Sequence, residues 1–328
     1  MLMLQPSPGL VWAFRMRADG TAEELDVDQP LGDYPDGWLW LHFDLVEARA
    51  CDFLKSLPSL PPAAIDAMAQ RHHHLQLHAG GACIYGVITD LCRVLGGASD
   101  QFGFLQFVMT ERFLITGRRR ALNAVEATRQ ALQKGKRVTS VTSLLELIIE
   151  HVAEAIDSLA EEIALDMDQI EERILDSDTG DHRQQLGIFR RKTVRMHRQL
   201  AGLRMIFHRL EQLESEELEP PLRLAAERLS QRFDSLAHEI EALRERARVL
   251  QEEIANQLAE ESNRHLHALT VVTILFLPPT LVAGFFGMNL LGLPFSESGA
   301  GFWAGVITAL VSSMAVYAVL RRLGIRSL

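Results

Sequence analysis

The sequence predicts an α+β domain followed by long stalk helices and two C-terminal transmembrane helices. Three observations carry this. Residues 1–138 alternate short β-branched or aromatic runs with amphipathic segments, punctuated by Gly and Asp. No Gly or Pro interrupts residues 222–277, which favours one long helix. Two late runs, residues 268–288 and 302–320, carry no charge, and each is near the ~20 residues a helix needs to cross a bilayer.

In chain order, VWAFRMR, WLWLHFDL, HLQLH, ACIYGVITDLC and FLQFVMTERFLITG read as strands. PPAAIDAMAQR has Pro at a helix start, and ALNAVEATRQALQKG is amphipathic and stops at Gly135. A small sheet flanked by helices follows, without its strand order. From Thr139 the pattern turns helical, with a break at SDTGD (residues 177–181). Ser143 followed by Glu146 has capping-box spacing. The first of these helices becomes acidic (Glu161, Glu162, Asp166, Asp168, Glu171, Glu172), and the returning one is basic (Arg183, Arg190, Arg191, Lys192, Arg195, Arg198). An antiparallel hairpin with complementary charge is expected. After Pro220-Pro221, Leu229, Phe233, Leu236, Ile240, Leu243, Ala247, Leu250 and Ile254 alternate spacings of four and three, a heptad seam.

Orientation follows from Lys and Arg. The loop at 289–301 has neither, whereas the tail RRLGIRSL carries Arg321, Arg322 and Arg326. By the positive-inside rule the tail is cytoplasmic and the loop outside. The long N-terminal part is then cytoplasmic too, and its start lacks the charged n-region and cleavage site of a signal peptide. The expected organisation is an α+β cytoplasmic domain at 1–138, a helical stalk at 139–267, spans at 268–288 and 302–320, an outer loop at 289–301 and a basic tail at 321–328.

A formal charge of −10 argues against a nucleic-acid partner and suits a protein that handles cations. Cys51, Cys83 and Cys92 form no CxxC and read as reduced thiols. No nucleophile–base spacing, P-loop or dinucleotide glycine pattern is present, so neither an enzyme nor a bound cofactor is expected.

On the first span Asn263, Leu266, Thr270, Thr273, Leu277, Thr280, Gly284 and Gly287 fall on one stripe. The stripe holds all three threonines of the span. A polar face in a membrane meets either a neighbouring helix or water, and the stripe alone leaves both open. Two spans cannot enclose a channel, so a pore requires several copies. Pro278 and Pro279 release carbonyls one turn earlier, at Ile274 and Leu275. Gly305, Ala309 and Ser313 give the second span a small-residue face for packing.

The first span ends in Gly287-Met288-Asn289. A ring of Asn289 amides would read the first-shell water of a hydrated divalent ion and spare the cost of stripping it. Stepping back by sevens from the stripe reaches Glu252, Glu245 and His238, with Asn256 alongside; these line a funnel or form a solvated face. Glu297 is the only acid in the outer loop. Residues 268–288 contain no His, Cys, Asp or Glu, so the span has no ligand to hold zinc tightly, which suits transit. His74 and His78 in RHHHLQLH would share a strand face, as a metal site or as solvated side chains.

PPTLVAGFFGMN, the later GLPF, and the GFW opening the second span carry a resemblance, with YGVITD and LITGRRRAL supporting it. The chain resembles the CorA superfamily of divalent-cation transporters, most of all its ZntB-type zinc branch. The signature residues are Pro279, Thr280, Gly284 and Gly287-Met288-Asn289. The resemblance implies a CorA-like homopentameric funnel in the inner membrane, with the first span around the pore. It assigns selectivity to Asn289, pore lining to Thr280 and Leu277, and a polar ring near the cytoplasmic end to Asn263. For the zinc branch it also implies proton-linked uptake. That branch usually has Gly-Gly-x-Pro after GMN, where this chain has Leu291-Gly292-Leu293-Pro294, so zinc, magnesium, cobalt and nickel all stay open. The partners implied are further copies of the chain, membrane lipid and the transported cations. The alternatives are a magnesium or cobalt channel and a non-conducting membrane-tethered scaffold.

Overall fold

The computed structural model describes residues 8–29, 36–57, 60–70, 74–80, 83–94, 97–175, 182–212, 220–288 and 300–322. They belong to two compact units, Met1–Leu250 and Gln251–Leu328.

Among the described residues the first unit contains seven strands: β1 (Leu10–Met16), β2 (Ala22–Leu25), β3 (Trp38–Asp44), β4 (Gln76–Gly80), β5 (Cys83–Val94), β6 (Gly97–Met109) and β7 (Phe113–Arg118). They form one sheet in the order β2-β1-β3-β7-β6-β5-β4. Only β3 and β7 pair in parallel. Between them the chain makes α1 (Ala48–Lys55), α2 (Pro62–Ala69) and the β4–β5–β6 meander, as a parallel pair demands a long crossover. The run FLQFVMTERFLITG is two strands. Thr110 Oγ1 accepts the N–H groups of Arg112 and Phe113 and closes the turn between them. β2 and α1 are additions to the sequence reading; AEEL is a polar edge strand without apolar alternation.

Each face of the sheet has its own core. Ala13, Leu41, Phe43, Val108 and Ile115 pack with Leu54, Ala64 and Met68 of α1 and α2. On the other face, cross-strand partners bring Trp12, Trp40, His42 and Thr116 together. Trp40 Nε1 donates to Thr116 Oγ1 at 2.9 Å, and His42 Nδ1 lies 2.8 Å from the same hydroxyl. His42 stacks on Trp12 at 4.1 Å. Burial holds its imidazole well below the ordinary range, so it is neutral.

Asp90 of β5 reaches the start of α3 (Asn123–Gln133) and accepts the N–H of Ala124 at 2.9 Å. It supplies the oxygen that Leu122, at the N-cap position, lacks.

Two long helices follow, α4 (Val141–Leu175) and α5 (His182–Glu211), and then α6 (Pro220–Gly287). Two expectations are corrected here. Ser140, not Ser143, caps α4: its Oγ accepts the N–H of Ser143 at 3.1 Å. Glu146 instead pairs with Arg228 of α6. Other acids of α4 likewise pair with α6, and among the described residues no ion pair joins them to α5. Asp157 pairs with Arg232, and Asp168 and Glu171 with Arg246. The basic residues Arg190, Arg191, Arg195 and Arg198 of α5 are exposed, because its other face is taken up by apolar packing. Phe207 of α5 stacks on Phe233 of α6 at 5.6 Å. The seam of α6 from Leu229 to Leu250 is buried at every expected position.

The second unit holds the later part of α6 and α7 (Ala300–Arg322). Both helices are long and apolar enough to cross a membrane.

Candidate pore helix

The stripe of α6 is bare within the chain. Asn263, Leu266, Thr270, Thr273, Leu277, Thr280 and Gly284 are all exposed, Leu266 at 57% and Leu277 at 68%. A Cβ at Gly284 or Gly287 would meet nothing within 4 Å. Ala268, Val271, Leu275, Pro278 and Val282 form the half-buried row, spaced three and four apart. At 3.6 residues per turn that row lies roughly 160° around the helix from the threonines. α7 covers this side: a Cβ at Gly305 would come within 3.5 Å of the ring of Phe286, and Ser313 reaches Leu275. The stripe therefore faces away from the second span.

The threonines have a fixed polarity. Thr270, Thr273 and Thr280 donate their hydroxyl protons to Leu266, Leu269 and Phe276 carbonyls at 2.8, 2.8 and 2.7 Å. With the proton held by the helix, each hydroxyl oxygen keeps its lone pairs for an outside donor. Such a face is able to accept hydrogen bonds from water.

The prolines sit inside a helix that stays α-helical through both of them. Pro279 has no N–H for the carbonyl of Leu275, four residues back. Ser313 of α7 donates to that carbonyl at 3.2 Å. The sequence reading had both halves, a freed carbonyl at Leu275 and a small-residue face with Ser313, but not their meeting. The available signal was the four-residue offset before a proline together with a hydroxyl on the packing face of the next span.

Asn289 and Glu297 lie outside the described residues; Gly287 and Met288 end the described part of the span. His238, Glu245, Glu252 and Asn256 are exposed, on the side of α6 opposite its apolar seam. His238 Nδ1 donates to the Asp234 carbonyl at 2.7 Å. Glu245 pairs with Arg248 one turn on, and that hydrogen bond holds its carboxyl below the ordinary range. A ring of Glu245 would carry its counter-charge with it.

The histidine pair is not built as a shared strand face. Leu75 tucks over Gly202 of α5, and β4 begins only at Gln76, so His74 precedes the strand. His78 is on the strand and stacks on Tyr85 at 5.1 Å. Both histidines are exposed, and among the described residues no three His, Cys, Asp or Glu side chains gather as a metal site.

The family model described as CorA-like Mg2+ transporter protein matches residues 35–322. The divalent cation transporter CmaX of Pseudomonas aeruginosa is 26% identical over 323 residues, covering 96% of each chain. The zinc transport protein ZntB of Yersinia pseudotuberculosis is 23% identical over 318 residues, covering 93% of each. The structure of full-length CmaX matches with a TM-score of 0.79 at 25% identity, over 96% of this chain and 98% of that one. The complete CorA magnesium transporter of Methanocaldococcus jannaschii has the same fold, with a TM-score of 0.79 at 15% identity over 95% and 98%. The chain belongs to the CorA-like family and is a divalent-cation transporter of the membrane.

Proposed function

We propose that the protein is a homopentameric zinc transporter of the bacterial inner membrane, carrying hydrated divalent cations along an axis lined by five copies of α6. The observation that carries this reading is the bare threonine stripe, turned away from α7 with its hydroxyl oxygens free to accept. Each hydroxyl is satisfied within its helix, but a row of three such oxygens on one face, each still able to accept, is better served by a watery axis than by lipid. In this assembly residues 268–288 and 302–320 are the spans, both termini are cytoplasmic, and residues 289–301 lie outside.

Asn289 forms the outer ring, with Gly287 and Met288 shaping its approach, and holds the ion through its water. Thr280, Leu277, Thr273, Thr270, Leu266 and Asn263 follow inward, and Glu297 draws cations to the mouth. On the cytoplasmic side Asn256, Glu252, Glu245 and His238 line the funnel. Zinc is favoured by the likeness to ZntB, and a span without ligands that would trap it permits zinc to pass. Uptake is coupled to protons. The magnesium or cobalt channel is the second reading, supported by the family description.

Purified protein in liposomes separates these. Zinc flux above magnesium flux, accelerated by an inward proton gradient and lost in Asn289→Ala, is the expected result. Equal flux or magnesium alone ends the zinc assignment, and indifference to the gradient ends coupling. Full flux in Asn289→Ala removes the ring.

A further inference from the structure

Among the described serine and threonine hydroxyls of the two spans, one behaves differently from the rest. Thr270, Thr273 and Thr280 on α6, and Thr308 and Ser312 on α7, each donate to a carbonyl of their own helix. Ser313 crosses to the other helix and donates to Leu275 at 3.2 Å. Its target is the carbonyl that Pro279 leaves without an intrahelical donor. In hydrocarbon such an acceptor has no water to turn to, so the partner that satisfies it fixes how that turn of the helix sits.

We propose that Ser313 is a positioning residue for permeation: through the Leu275 carbonyl it holds the proline turn of α6 and so sets the orientation of Thr273, Leu277 and Thr280 toward the axis. The inference rests on α6 lining the pore. Leu275 is on the half-buried row, between Thr273 and Leu277 in sequence, so a rotation that let its carbonyl seek another donor would carry both stripe residues with it. Gly305 beside Phe286 is a second place where the spans approach, and it involves no hydrogen bond to the freed carbonyl.

The test compares full-length variants in liposomes with zinc and magnesium as probes. Ser313→Thr keeps the hydroxyl; Ser313→Val has the same branched shape without it. Expected are near wild-type flux for Ser313→Thr and a maximal flux about five-fold lower for Ser313→Val and Ser313→Ala, with the half-saturating concentration unchanged and the assembly intact. Wild-type flux in Ser313→Val or Ser313→Ala overturns the proposal. So does failure of Ser313→Ala to assemble while Ser313→Thr assembles, since the hydroxyl would then only hold the fold. Melting supplies an independent arm that needs no conduction. Pro279→Ala restores an N–H to the Leu275 carbonyl, so Ser313→Ala should lower the melting temperature less in that background than in the wild type. Equal lowering in both backgrounds removes the carbonyl from the account. Absence of flux in the wild-type protein would instead defeat the pore reading itself.

Discussion

Asp90 is wholly buried on β5 and accepts the N–H of Ala124 at the mouth of α3. Burial pushes its carboxyl up from 3.8 to about 7, against the pull of four backbone N–H groups that favour the charged form. The folded state thus prefers the neutral acid. Its contribution to stability is fully present below pH 4 and is lost as the pH rises through 7, on the order of a few kcal/mol. His42 acts with the opposite sign: kept neutral by burial, it lowers stability as the pH falls below the ordinary histidine range, because the unfolded chain binds its proton first. The two effects can be separated by substitution. Asp90→Asn keeps an oxygen for Ala124 but cannot ionise, so its melting temperature relative to wild type should rise between pH 5 and pH 8. A constant difference across that range would show that the carboxylate is charged throughout.

At the scale of elements, α6 is held in the first unit by an apolar seam and by an arginine series, and the two differ in weight. Phe233 is fully buried and stacks on Phe207, so Phe233→Ala should cost about 3–5 kcal/mol. Arg246 bridges Asp168 and Glu171, but its side chain is 37% exposed and theirs 56% and 43%. Arg246→Ala should cost about 1 kcal/mol or less, and salt should shrink the difference. Melting curves at low and high ionic strength check the order; a larger loss from Arg246→Ala would mean that the ion pairs carry the helix. The seam was legible because spacings of three and four have one meaning on a helix. The partner of the acids on α4 was not, since charge complementarity to α5 and to α6 looks alike along a line of residues. Strand order was hidden for a related reason: alternation places side chains on a face but names no neighbour. The stripe on α6 was legible by the same periodicity as the seam. The side covered by α7, and the reach of Ser313 to Leu275, depend on how two helices rotate against each other, which neither sequence states alone.

For the whole molecule the question is which surface water and ions touch. Two threonines of the spans have nearly the same local structure: Thr280 donates to Phe276 at 2.7 Å and Thr308 to Ala304 at 2.8 Å, and both are exposed. They differ in place. Thr280 lies on the stripe of α6 turned away from α7, whereas Thr308 is on α7, off its half-buried face. Valine matches threonine in shape, and each substitution removes one hydroxyl that was already satisfied within its helix, so the helices should form equally well. If copies of α6 surround the axis, Thr280→Val takes one acceptor per subunit from the ion's water and should lower zinc flux by about five-fold. Thr308→Val faces lipid and should leave flux unchanged. Equal flux in both variants, at equal assembly, would place the permeation route elsewhere than on this stripe. Loss confined to Thr308→Val would put α7 on the axis and reverse the arrangement of the two spans.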